Sequence, residues 1–210
     1  MILARIFVVV WFLAAFTLSV TGFFRHFSSA TLFGIGALAS ASGFTILHWL
    51  SKSFRGFSRA RGLKRLTQMQ VLRLFGVLAL FKTDEHVLPG LFAIPTGIID
   101  IAFALTSFVV AARLVTREGR ARPGFIAWHI LGLSGLAVSV TLAILTSTPR
   151  FGLVQGGITS QPMTWFPMSL VPTFIGPFVL ICHLLAIVAA STRLRSTRAS
   201  LSDQAQRKPG

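Results

Sequence analysis

The sequence predicts an all-α fold, a polytopic transmembrane helical bundle of six spans with both termini in the cytoplasm. Three observations carry that expectation. Of 210 residues, 53% are hydrophobic and only 12% charged, with a mean hydropathy of +0.76. Such a composition suits a helical membrane protein and excludes an ordinary soluble domain. Six apolar runs can be marked, at about 3–22, 29–50, 66–81, 88–112, 124–147 and 167–190. The segments between them alternate between rich and poor in basic residues.

Arg5 lies at the start of the first run and Arg25 follows it, whereas Lys52, Arg55, Arg59, Arg61, Lys64 and Arg65 lie between the second and third. Lys82 alone separates the third from the fourth. Arg113, Arg117, Arg120 and Arg122 follow the fourth, Arg150 the fifth, and Arg193, Arg195, Arg198, Arg207 and Lys208 close the chain. Basic residues concentrate in cytoplasmic loops, so six crossings place sixteen of the twenty Lys and Arg on that side. The formal charge of +15 is then a topology signal. Its expected partners are the lipid bilayer and anionic lipids at the cytoplasmic face, with no nucleic acid.

The first run has a basic start and a long apolar stretch without a small-residue cleavage site, which favours a span over a signal peptide. Gly36 and Ser40 make a small-residue stripe on the second, suited to close helix approach. The third run is short and carries Gln68, Gln70 and Arg73. It is expected to span because otherwise the basic loops around 52–65 and 113–122 would face opposite sides. In the fourth run the leucines, isoleucines, valines and phenylalanines outweigh the cost of Asp100, which is about 3 kcal/mol at a helix centre. Between the fifth and sixth, Pro162, Pro167, Pro172 and Pro177 recur every five residues. Regular helix is expected to start near Pro167 or Pro172, with Pro177 a kink. The segment before it reads as an ordered loop with Trp165 at the interface, or as a cap over the bundle. Residues 1–190 form one transmembrane domain, and 191–210 read as a basic, disordered cytoplasmic tail.

Asp100 is the only acidic residue inside a run. Ala93, Thr96, Gly97, Ala104, Ser107 and Ala111 share its helical face at spacings of three, four and seven, so Asp100 should point into the bundle. At 1.5 Å per residue from the cytoplasmic boundary, Arg73, His129 and His183 lie roughly 10–13 Å deep and Asp100 roughly 18 Å. Those depths let long side chains meet, and Arg73 is expected to pair with Asp100. Intramembrane ionisable groups are candidate functional sites. The binding residues expected are therefore Asp100, Arg73, His183, His129 and Thr96, with no catalytic residues and no metal site. Intramembrane aspartyl chemistry would need two carboxylates, and no serine elbow or phosphate-binding loop is present. No cofactor is expected. Haem held by His129 and His183 is the alternative, since two histidines face each other at one depth. One cysteine, Cys182, allows no intrachain disulfide.

The stretches "RLTQMQVLRLFGVLAL", "LPGLFAIPTGIIDIAFAL" and "PMSLVPTFIGPFVLICHLLAI" resemble a group of small bacterial integral membrane proteins without assigned function. The matching features are Arg73 with Gly76, the Leu-Pro to Asp100 pattern and the Val-Pro to His183 pattern, over about residues 65–190. The resemblance implies a bacterial cytoplasmic membrane location and no activity. The leading expectation is binding or transport of a small solute or protons through the Asp-Arg-His core. The alternatives are a structural or accessory membrane subunit and a haem- or quinone-linked redox protein.

Overall fold

The computed structural model of the chain describes residues 2–50, 62–116, 120–151, 153–154 and 157–206. These residues fold almost entirely as helix, with one isolated bridge between Val115 and Ala121 and no strand. We number six helices: α1 Ile2–Val20, α2 Ser29–Leu50, α3 62–84, α4 Gly90–Arg113, α5 Phe125–Leu145 and α6 171–206. Among the described residues, three stretches are long and apolar enough to cross a membrane: Gly90–Arg113, Phe125–Leu145 and the Val171–Thr192 part of α6. Much of the basic loop between α2 and α3, including Lys52, Arg55, Arg59 and Arg61, lies outside the described residues, as do Arg117 and Glu118.

Helix α3 is longer than its apolar run and is wound unevenly. Ordinary α-helix over Gly62–Gln68 passes into a 3-10 segment, Met69–Phe75, and returns to α-helix over Gly76–Asp84. A 3-10 helix has three residues per turn and rises about 2 Å per residue, so side chains three apart stack in a column. Thr67, Gln70, Arg73, Gly76 and Ala79, at strict three-residue spacing, are all buried. The tighter winding also lengthens α3 to about 38 Å, enough for a bilayer core of about 30 Å.

Helix α6 opens with a π turn, Val171–Ile175, before regular helix from Gly176. Pro177 has no N–H to return to the carbonyls of that turn. The carbonyl of Thr173 instead accepts a hydrogen bond from the Trp11 indole of α1 at 3.2 Å. Beyond residue 190 the backbone stays helical to Gln206. Residues 207–210 lie outside the described residues.

Between α5 and α6, residues 160–169 are held against the bundle by hydrogen bonds. Ser160 donates to the Ala143 carbonyl at 2.7 Å and meets the Ser29 hydroxyl at 2.9 Å. Gln161 takes the Ser29 N–H at 3.0 Å and donates to the Phe27 carbonyl at 2.7 Å, and Ser169 bonds Ser19. Met163 and Met168 point inward against Phe33 and Phe92. A second apolar cluster at the other end joins Leu63, Leu66, Phe125, Leu185 and Ala189. A third, around Phe174 and Val179, receives Trp11.

The outward surface is apolar. On α4 Leu91, Ile94, Ile98, Leu105 and Phe108 are exposed, while the six residues expected to share the Asp100 face are all buried. Large continuous apolar surface of this kind fits contact with lipid.

Candidate functional site: a buried charged centre

Between the two end clusters, α3, α4, α5 and α6 enclose a set of charged and polar side chains. Arg73 and Asp100 face each other across α3 and α4, 1% and 8% exposed. Arg73 Nε donates to Asp100 Oδ1 at 2.8 Å. Nη2 comes within 2.7 Å of the same oxygen, an electrostatic contact without hydrogen-bond alignment. No described donor reaches Asp100 Oδ2. Arg73 Nη1 reaches the Gly132 carbonyl at 3.3 Å and His183 Nε2 at 3.4 Å. The guanidinium carbon sits 4.7 Å from the centre of the Phe103 ring, a placement that stabilises a desolvated cation.

From Arg73 the network continues along the two histidines. His183 Nδ1 is 2.8 Å from His129 Nδ1, and His129 Nε2 is 3.2 Å from the Thr67 hydroxyl. Thr67 in turn donates to the Leu63 carbonyl at 2.8 Å. The chemistry of the two ends fixes the direction of this chain. A guanidinium only donates, so His183 accepts at Nε2 and carries its proton on Nδ1. His129 then accepts at Nδ1 and donates from Nε2 to Thr67. Each link is a donor to the next, from Arg73 to the Leu63 carbonyl.

Glycines make these contacts possible. A Cβ at Gly132 would lie 2.2 Å from His183 Cε1, and one at Gly76 would lie 2.6 Å from Asp100 Cβ. A Cβ at Gly135 would press Ile99 at 2.8 Å and approach Arg73 Nη2 at 3.5 Å. The helices therefore meet at the centre because three positions lack a side chain.

Beside the ion pair lies a cavity of about 70 Å³. Asp100, Thr96 and Arg73 form its polar wall, and Met163, Met168 and Phe92 are among its apolar walls. The Thr96 hydroxyl has no hydrogen-bond partner.

The structure thus brings together Asp100, Arg73, His183 and His129 in one network, with Thr96 one helical turn from Asp100 on the cavity. Thr67, Phe103 and Gly132 also belong to the centre, and the sequence reading did not single them out. Thr67 was legible in principle, because polar or small residues recur every third position from Thr67 to Ala79. That period marks 3-10 winding and one buried column.

Fold and site together define a protein that is all-helical among its described residues, with three helices fit to cross a membrane and a buried ion pair, histidine pair and small cavity inside the bundle. Residues 27–190 match the family model described as "Domain of unknown function (DUF8737)", and the chain belongs to that family. No curated protein and no solved structure matches it. The family segment contains the whole charged centre and omits α1.

Proposed function

We propose that this is a bacterial inner-membrane protein of six crossings with both termini cytoplasmic, which binds a small solute in the centre of its bundle and passes it across. The alternation of basic loops supports the topology, and the apolar outer surface supports the location. The observation that carries the binding reading is the cavity, with Asp100 and Thr96 on its wall. Intramembrane charge is costly and is kept where it does something. Asp100, Arg73 and Thr96 would contact the solute, while His183 and His129 hold Arg73 in place. Proton passage along the histidine chain is the weaker form of this reading, because the chain ends on a guanidinium that does not release its proton.

The test is flux into vesicles containing the purified protein, read against protein-free vesicles and vesicles with Asp100→Asn. Permeation of small solutes above background that disappears in Asp100→Asn supports the proposal. Equal flux in all three vesicle types overturns it.

A structural or accessory subunit is the second reading, favoured by the tight glycine contacts around an ion pair already complete within the protein. The haem alternative is weaker, because the two histidines lie one hydrogen bond apart, with no gap for an iron and its macrocycle.

A further inference from the structure

The chemistry of the cavity narrows its occupant. Ser40, Thr83, Ser139 and Thr173, all on helices, return their hydroxyls to the carbonyl four residues back. Such local bonding is the ordinary resting place of a helical hydroxyl. Thr96 does not make it, although it sits inside α4 and is only 6% exposed. A buried hydroxyl with no partner destabilises the fold, and Thr96 is one of the residues that line the cavity. A second unused function belongs to another residue of that wall: both Arg73 contacts fall on Oδ1 of Asp100 and leave Oδ2 free, on the side of Gly76, which also lines the cavity.

Charge decides the rest. A cation drawn to Asp100 Oδ2 would meet the Arg73 guanidinium beside it, and an anion drawn to Arg73 would meet the carboxylate. The two charges cancel, and what remains open is a hydrogen-bond acceptor and a hydroxyl that both donates and accepts. Size sets the limit: a water needs at least about 10–15 Å³ of such space, so the cavity takes roughly five waters or one solute of a few heavy atoms.

We infer that the cavity holds a small uncharged molecule carrying both a hydrogen-bond donor and an acceptor, bridged between Asp100 Oδ2 and the Thr96 hydroxyl. Water is the smallest member of that class and urea is of the size that still fits. The inference rests on the solute-binding reading above, and it specifies the ligand class of that site.

Two measurements test it. Thr96→Val removes the hydroxyl while keeping the shape. With a guest bonded to that hydroxyl, the melting temperature of the purified full-length protein falls, and Thr96→Ser holds it near the wild type. If the cavity is dry, Thr96→Val deletes an unpartnered polar group and the melting temperature rises, which overturns the inference. In the second, stopped-flow light scattering follows water and urea entering protein-containing vesicles, beside sodium, potassium and chloride leak. Water or urea flux several-fold above protein-free vesicles, reduced by Thr96→Val, with ion leak at background, supports the uncharged class. Ion flux without water or urea flux refutes it. A fall in melting temperature with no flux of any kind retains the occupant and sinks transport alone.

Discussion

The Arg73–Asp100 contact yields the most demanding prediction. Asp100→Asn leaves the guanidinium with the Gly132 carbonyl, His183 and the Phe103 ring. Arg73→Gln leaves a buried carboxylate with no cation, since no other basic group is paired with it among the described residues. Removing one partner of a buried pair costs about 3–5 kcal/mol, so each single variant should lose that much, with Arg73→Gln the worse of the two. If the losses were independent, the double variant would lose about 6–10 kcal/mol by the same figure. Replacing both charges removes the stranded one, so the double variant should lose less than the worse single. For a chain near 200 residues, each kcal/mol moves the melting temperature by about 2–4 °C. The singles should therefore melt lower by about 6–20 °C on that scale, and the double should recover part of the drop. The assay is thermal unfolding of the three variants in one detergent, read by intrinsic tryptophan fluorescence and by monodisperse elution after heating. Losses in the double that equal the sum of the singles would show that the two side chains do not act as partners.

Gly132→Ala should destabilise by about 1–3 kcal/mol as an overpacked contact, because its methyl falls 2.2 Å from the His183 ring. Gly34→Ala is the control, with open space at that position, and should raise stability by about 0.5–1 kcal/mol; thermal melts of the two variants should move in opposite directions. Nitrogen-15 spectra of histidine-labelled protein should show His183 protonated on Nδ1 and His129 on Nε2. The reverse assignment at either ring would break the donor order from Arg73 to Thr67.

The helices were readable because their run lengths and face periodicity depend on neighbours only a few residues away. The Asp100 face of α4 follows from residue identity and 3.6-residue spacing alone, and it is buried as that spacing requires. The start of α3 was harder. Gly62, Lys64 and Arg65 look like loop, yet Leu63 and Leu66 bury themselves against Phe125 and Leu185, a contact whose partners lie far along the chain. Depth counting set Arg73, His129 and His183 at one height, and the network joins them. Height does not give direction around the bundle axis, however. That is why the bond between the histidines, the place of Thr67 and the glycine contacts came only from the folded structure.

The Trp11–Thr173 hydrogen bond spans 162 positions of sequence, and the Ser19–Ser169 bond spans 150. The first ties α1 to α6, and the second ties α1 to the stretch just before α6. A chain emerges from synthesis in order, so α1 waits through the production of four further helices before its carbonyl acceptor exists. During that wait α2 to α5 are free to assemble without it. The proline that strips donors from the start of α6 thus also sets a sequence of events. Of the described helices, α1 is the first made and among the last to be fastened.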